Sequence, residues 1–164
     1  MKPFLVVLLL TLPPAFLSAG PLQDNAGADI VAGNGWGEIT LGAPRALVDE
    51  ELGKQPEARR YGDVYYVDYP AAGIQVSFSG KGDQVRAIYF FNKQRLYRQF
   101  ATFRGKTSKG IGWESSAAQV ITVYGKPVHD YEGDDGGPWR RLVFKGIDFL
   151  FEDNKLVRIS VPGD

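Results

Sequence analysis

One histidine, no cysteine and one glycine-rich acidic run are what this 164-residue chain offers to chemistry. His129 follows Lys126-Pro127 and stands beside Asp130. A histidine can act as a general base or a lone metal ligand, but a base needs a nucleophile or substrate held against it. No motif supplies one: the Gly-x-Ser-x-Gly elbow, the phosphate-binding glycine loop and the His-Glu-x-x-His helix are all missing from the sequence. His129 therefore reads as a loop residue following a helix. Glu132-Gly133-Asp134-Asp135-Gly136-Gly137 carries carboxylates and carbonyls of the kind calcium takes. It lacks the alternating ligand spacing of an EF-hand loop and reads as a solvated turn. Zero cysteine removes disulfides, thiol chemistry and thiolate-bound metals. No catalytic residue, metal site or cofactor is assigned from the sequence.

Two surfaces remain. Between Asp83 and Glu114 there is no acid, while Arg86, Lys93, Arg95, Arg98, Arg104, Lys106 and Lys109 all fall there, interleaved with Phe90, Phe91, Tyr97, Phe100 and Phe103. Arg95, Arg98, Arg104, Lys106 and Lys109 form a candidate patch for an anionic partner, set against the plainer reading of a solvated connector whose aromatics enter the core. The second surface comes from strand alternation, in which every other side chain shares a face. If Ile74, Val76 and Phe78 point inward, then Tyr89, Phe91, Leu150 and Arg158 point outward, and Tyr65 and Tyr66 split between faces. Tyr66, Tyr89, Phe91, Leu150 and Arg158 are the expected partner face, because exposed aromatics on a polar sheet mark protein contact.

The elements that must position these residues follow from local patterns. Met1-Lys2-Pro3, the apolar run Phe4 to Leu12, and the small residues before Gly20 have the layout of a cleavable signal peptide over 1–20. The apolar run is shorter than the roughly 20 residues of a spanning helix. Losing Lys2 from 19 bases and 19 acids leaves one more acid than base, so overall charge does not favour nucleic acid. Residues 21–35 read as a flexible lead-in. Roughly 125 residues then remain, enough for one compact domain or two very small ones.

Within them the sequence repeats. Ile39-Thr40-Leu41-Gly42-Ala43-Pro44 and Ile111-Gly112-Trp113-Glu114-Ser115-Ser116 stand 72 positions apart, as do Val48 and Val120, and Gly53 and Gly125. Gly73-Ile74-Gln75-Val76-Ser77-Phe78 falls on Gly146-Ile147-Asp148-Phe149-Leu150-Phe151, and Val85 to Ile88 on Leu156 to Ile159. Ala117, Val120, Ile121 and Tyr124 make a helical stripe, with Ser115 as N-cap and Gly53 and Gly125 as C-terminal stops. Strands are expected at 64–69, 139–144, 74–79, 147–151, 85–91 and 156–161. The fold class is α+β: two tandem units, each a helix plus a three-to-four-stranded antiparallel meander in two layers. The units span 36–92 and 110–164, joined by a basic linker over 93–109.

The motif residues Ile39, Gly42, Val48, Leu52, Gly53, Gly73, Ile74 and Phe78, then Ile111, Val120, Tyr124, Gly125, Pro127, Gly146, Ile147 and Phe151, carry a family resemblance. The pattern resembles the repeat shared by the SmpA/OmlA/BamE outer-membrane lipoproteins and, as a tandem pair, the β-lactamase inhibitor protein. The resemblance implies non-catalytic protein-binding modules of the bacterial envelope. The lipoproteins' lipidated cysteine and the inhibitor's disulfides have no counterpart here, so neither activity carries over by residues. The expectation is thus a periplasmic or secreted binding module, with an inhibitor-like or assembly role and an unidentified envelope protein as partner. No nucleic acid, transmembrane span or cofactor is expected. The alternative is a small hydrolase or ligand-binding protein with a site between the units, near His129 and the Glu132–Asp135 loop.

Overall fold

The computed structural model describes residues 27–55, 58–80, 83–133 and 137–163. The expected signal peptide and the acidic pair Asp134-Asp135 lie outside the described residues. The chain is α+β, with two α-helices and two antiparallel sheets among the described residues. A small sheet of β1 (Ile30–Val31), β2 (Gly35–Trp36) and β3 (Ile39–Thr40) precedes α1 (Arg45–Leu52). Then come β4 (Arg59–Tyr61), β5 (Val64–Tyr69), β6 (Ile74–Ser79) and β7 (Val85–Phe91). After the connector, α2 (Ala117–Tyr124) leads to β8 (His129–Gly133), β9 (Gly137–Phe144), β10 (Ile147–Glu152) and β11 (Lys155–Pro162). The large sheet has the order β4-β5-β6-β7-β11-β10-β9-β8. Two meanders thus meet edge to edge through β7 and β11.

Alternation decides the faces. Val67, Ile74, Val76, Phe78, Ile88, Phe90, Leu142, Ile147, Phe149, Ile159 and Val161 are fully buried and share one face. Both helices and the small sheet pack there. Val48 and Leu52 of α1 join this core, Tyr124 of α2 meets Phe144 and Phe149 at 5.3 and 5.1 Å between rings, and Trp36 meets Phe90 and Phe103 edge-on. Full burial of each such side chain favours folding by about 1.5–3 kcal/mol.

Local structure departs from the sequence expectations in three places. The N-cap of α2 is Ser116, one residue later than Ser115, because Gln119 completes a reciprocal box with it. The Ser116 hydroxyl accepts from the Gln119 amide at 3.3 Å and the Gln119 side chain accepts from the Ser116 amide at 2.8 Å. Pro44 occupies the corresponding N-cap position of α1, without a side-chain capping bond. Residues 27–35 do not behave as a lead-in: Ile30 is completely buried, bridges in parallel to Thr107 and anchors β1, while the Trp36 indole donates to the Ala28 carbonyl at 3.0 Å. An apolar residue able to reach the core pulls its flanking segment in with it. The third departure is at the sheet's two outer edges: β4 and β8 make each meander four-stranded, the upper end of the expected three to four, at positions where no strand was expected.

Two glycines fix how the parts close. Gly146, in the turn before β10, has φ 74°, and a side chain there would put its Cβ 2.5 Å from the Gly33 amide nitrogen. Gly125, which stops α2, has φ 84° but open space around it. Gly125→Ala should therefore cost only backbone strain, of order 1–3 kcal/mol. Gly146→Ala should cost clearly more, because the hydrogen bond from the Gly33 amide to the Gly146 carbonyl (2.7 Å) is displaced as well. Equilibrium urea unfolding of the two variants measures the difference.

Candidate partner-binding face

The face opposite the helices carries the side chains that folding of the core does not use. Starting from one edge, Tyr61 on β4 stands 65 % exposed and meets Tyr66 on β5 edge-on at 5.7 Å between rings. Tyr66 in turn meets Tyr89 on β7 at 6.3 Å. The strand between them, β6, places only the small Ser77 there, opposite Tyr66 on one side and Ala87 on the other, and this lets the rings approach across it. Below this row, Asp68 accepts from both Arg59 (2.8 Å to each oxygen) and Gln75 (2.7 Å). Burial, the larger influence, raises the Tyr89 phenol above its ordinary pKa, and nearby Tyr66 adds to the rise, against Arg158.

Across the β7–β11 junction the face becomes charged. Arg158 pairs with Phe91 in register and Ser160 with Tyr89. Leu150 on β10 lies between Arg158 on one side and Arg141 of β9 on the other. Both arginines lean diagonally to Asp148, two residues along the same face. Arg141 donates a hydrogen bond to Asp148 Oδ2, and Arg158 Nη2 stands 3.9 Å from Asp148 Oδ1. The Arg158 guanidinium also lies 5.6 Å over the Tyr89 ring, so the aromatic row and the charged cluster are continuous. Asp148 is only 1 % exposed. Beyond the cluster, Tyr131 and His129 of β8 stack at 5.5 Å and are both exposed.

Of the residues expected on this face, Tyr66, Tyr89, Leu150 and Arg158 lie on it together. Phe91 points to the same face but is 3 % exposed, which corrects the expectation that it is open. The connector folds back over it: Phe100 stacks on Phe91 at 4.2 Å and Tyr97 lies at 4.7 Å. Phe103, three residues on, enters the opposite face against Phe90 and Trp36. The connector is thus a clamp around the strand ends, and its aromatics are core. Arg98, Arg104, Lys106 and Lys109 are exposed, with Lys109 Nζ 4.6 Å over the Tyr124 ring, and Arg95 begins a short 3-10 turn.

His129 and Glu132 do not converge, because they sit on opposite faces of β8. His129 pairs with Val143 on the outer face, and Glu132 pairs with Arg140 on the inner one. On the inner side Arg140 makes a forked bond to Asp130 (2.9 and 2.7 Å) and approaches Glu132 at 3.4 Å. That hydrogen-bonded fork holds the Asp130 carboxyl below its usual pKa. An open depression of about 540 Å³ lies beside it, lined by Ser116, Ala117, Glu132, Trp139, Arg140 and Asn154. Among the described residues no group of three or more His, Asp and Glu is placed to hold a metal ion, and no helix is long and apolar enough to cross a membrane.

Arg141 and Asp148 are the central residues that the sequence reading did not single out as binding residues. Leu142 and Phe144 point inward, so alternation along β9 does place Arg141 outward. What no pattern shows is that a cross-strand diagonal brings it to Asp148. Compared with known proteins, the chain matches no family model, no curated sequence and no solved structure.

Phe91→Ala should destabilise the fold by about 3–5 kcal/mol, as for other buried aromatics. Tyr61→Ala should stay within about 0.5 kcal/mol of the parent. Chemical denaturation followed by tryptophan fluorescence separates these. The Asp130–Arg140 pair also has a pH signature. A carboxyl with a lowered folded-state pKa stabilises above its unfolded pKa, about 3.9, and that contribution disappears as pH falls through the folded value. The stability gap between the parent and Arg140→Gln should therefore be constant from neutral pH to about pH 5 and close below the ordinary carboxylate range; thermal melts across that range measure it.

Proposed function

We propose that the protein is a non-catalytic, exported binding module of the bacterial envelope, acting through the outer face of its large sheet. The observation that carries this reading is the continuous row from Tyr61 through Tyr66 and Tyr89 to Arg158 on a face that the helices leave uncovered. Tyrosine and arginine are the residue types that dominate binding energy at protein interfaces, and here they are pre-positioned on rigid strands. The tandem-unit reading belongs to the same proposal. It is supported by the sequence correspondence of 36–92 with 110–164 and by a strand order that runs inward from both edges to β7 and β11. So does the placement outside the cytoplasm, which rests on the pattern of residues 1–20. Inhibitor-like and assembly roles both fit such a surface. The exposed basic residues Arg98, Arg104, Lys106 and Lys109 of the connector are charges suited to an anionic surface, with Lys109 on the helix side of the sheet over Tyr124.

The hydrolase alternative draws on the depression beside Glu132 and Arg140. His129 lies on the other face of that strand, so the alternative loses its general base.

The test is affinity capture from envelope extract, comparing the parent with Tyr66→Ala and Tyr89→Ala variants that melt like the parent. A partner retained by the parent should be weakened on the order of 30-fold by either change, the effect of a hot-spot residue worth about 2 kcal/mol. Retention unchanged in both variants would remove the outer face from the account.

A further inference from the structure

We infer that the Arg141–Asp148–Arg158 cluster is an acceptor for one acidic side chain of the protein partner, an aspartate or glutamate carboxylate seated over Leu150 between the two guanidinium groups. This rests on the reading of the outer face as a protein-binding surface and specifies what that surface recognises.

The argument starts from charge. Two arginines share one carboxylate, so the cluster has one positive charge in excess. Asp148 Oδ2 is taken by Arg141, and Oδ1 has only the 3.9 Å approach of Arg158. Glu152 lies on the same face two residues beyond Leu150, but the ion pairs of Arg141 and Arg158 run to Asp148. On the far side, Asp68 is already engaged by Arg59 and Gln75. One added carboxylate makes a neutral quartet of two arginines and two acids.

The second line is hydrogen bonding. Arg141 Nε, Arg158 Nε, Asp148 Oδ1 and Ser160 Oγ are all shielded and have no hydrogen-bond partner within the protein. Buried polar atoms are normally paired, and leaving one unpaired costs about 1–3 kcal/mol. Three of the four are donors, so the cluster holds more unpaired donors than acceptors, a balance that favours an anion. Each Nε is itself shielded, so an incoming carboxylate meets the solvent-facing part of the guanidinium groups, on side chains that are 41 % and 21 % exposed.

The third line is pre-organisation. Arg158 is held over the Tyr89 ring and its side chain is only 21 % exposed, so it has little rotamer freedom left to lose. Arg141 is 41 % exposed and tied to Asp148. Asp148 thus acts as a positioning residue that spaces the two guanidinium groups, while Tyr89 and Tyr66 supply flanking contact area. An acidic side chain neighbouring an aromatic or apolar one on the partner matches both halves of the face.

The experiment uses the isotope-labelled protein and two blocked tripeptides, Tyr-Glu-Tyr and Tyr-Gln-Tyr, with the Nε–Hε resonances of Arg141 and Arg158 as the readout. The glutamate peptide should shift both resonances saturably. It should bind about tenfold or more tighter than the glutamine peptide, the scale of a charge-assisted hydrogen bond. Raising salt should weaken it. Arg158→Gln should remove the preference for glutamate, and Arg158→Lys, which keeps the charge without the fork, should retain only part of it. The lysine variant also serves if the glutamine variant does not fold. Equal affinity for the two peptides, shifts confined to other residues, or inorganic phosphate binding the same arginines as well as the glutamate peptide would each overturn the inference. If both peptides bind equally and Tyr66→Ala weakens both, the carboxylate site falls while the binding face stands. If capture from extract fails to depend on Tyr66 and Tyr89, the wider reading falls independently.

Discussion

Pairing of β7 with β11 is the interaction on which the rest of the molecule depends. Each strand would otherwise be the edge of a four-stranded meander, and both are long and apolar: Val-Arg-Ala-Ile-Tyr-Phe-Phe on one side, Lys-Leu-Val-Arg-Ile-Ser-Val-Pro on the other. Such edges present unpaired backbone groups to any other chain. Joining them satisfies both ladders at once. The register matters as much as the pairing. It sets Ile88 against Val161 and Phe90 against Ile159 on the inner face, making one core from two. The same register sets Tyr89 against Ser160 and Phe91 against Arg158 on the outer face, so the aromatic row meets the charged cluster. A slip of one residue would exchange the faces and destroy both.

The outermost strands show the opposite solution to the same problem. β4 is Arg59-Arg60-Tyr61 and β8 begins His129-Asp130-Tyr131-Glu132, all exposed. Charged, short edge strands resist adding further strands. That also explains why they are hard to read from sequence. They have no buried side to impose alternation, and their positions are secured by neighbours: Arg59 bonds to Asp68 and Asp130 to Arg140.

The legible part of the fold was the part that burial enforces. Strands β5, β6 and β7 begin and end where the alternation of Val67, Tyr69, Ile74, Val76, Phe78, Ile88 and Phe90 places them, because inward positions must be apolar. Both helix stops were readable from Gly53 and Gly125. Tyr66, Tyr89, Leu150 and Arg158 could be assigned to the outer face by the same alternation, once their inward neighbours were known. Exposure was another matter. Whether Phe91 is open depends on where Tyr97 and Phe100 come to rest, a non-local contact that leaves no periodic trace. The segment around Ile30 was obscured for a related reason: its small polar neighbours suggest flexibility, while one isoleucine and Trp36 decide its position. The Arg141–Asp148 contact needed the β9–β10 register, which two residues out of any pattern do not reveal.

Comparing corresponding positions in the two halves separates what folding requires from what it leaves free. Inward positions keep their character: Ile74 and Ile147, Val76 and Phe149, Phe78 and Phe151, Ile88 and Ile159, all buried. Outward positions do not. Gln75 corresponds to Asp148, Ser77 to Leu150, Ala87 to Arg158 and Tyr89 to Ser160. Such a pattern arises when one face is constrained by a shared core and the other is not. The outward residues differ in complementary ways, aromatic and small in the first half, charged in the second, and they meet over the β7–β11 junction. A charged cluster with unpaired atoms adds nothing to the core that apolar residues would not supply better. Its presence beside the junction of the two halves, on the face that the helices do not cover, is the strongest physical reason to look for recognition there.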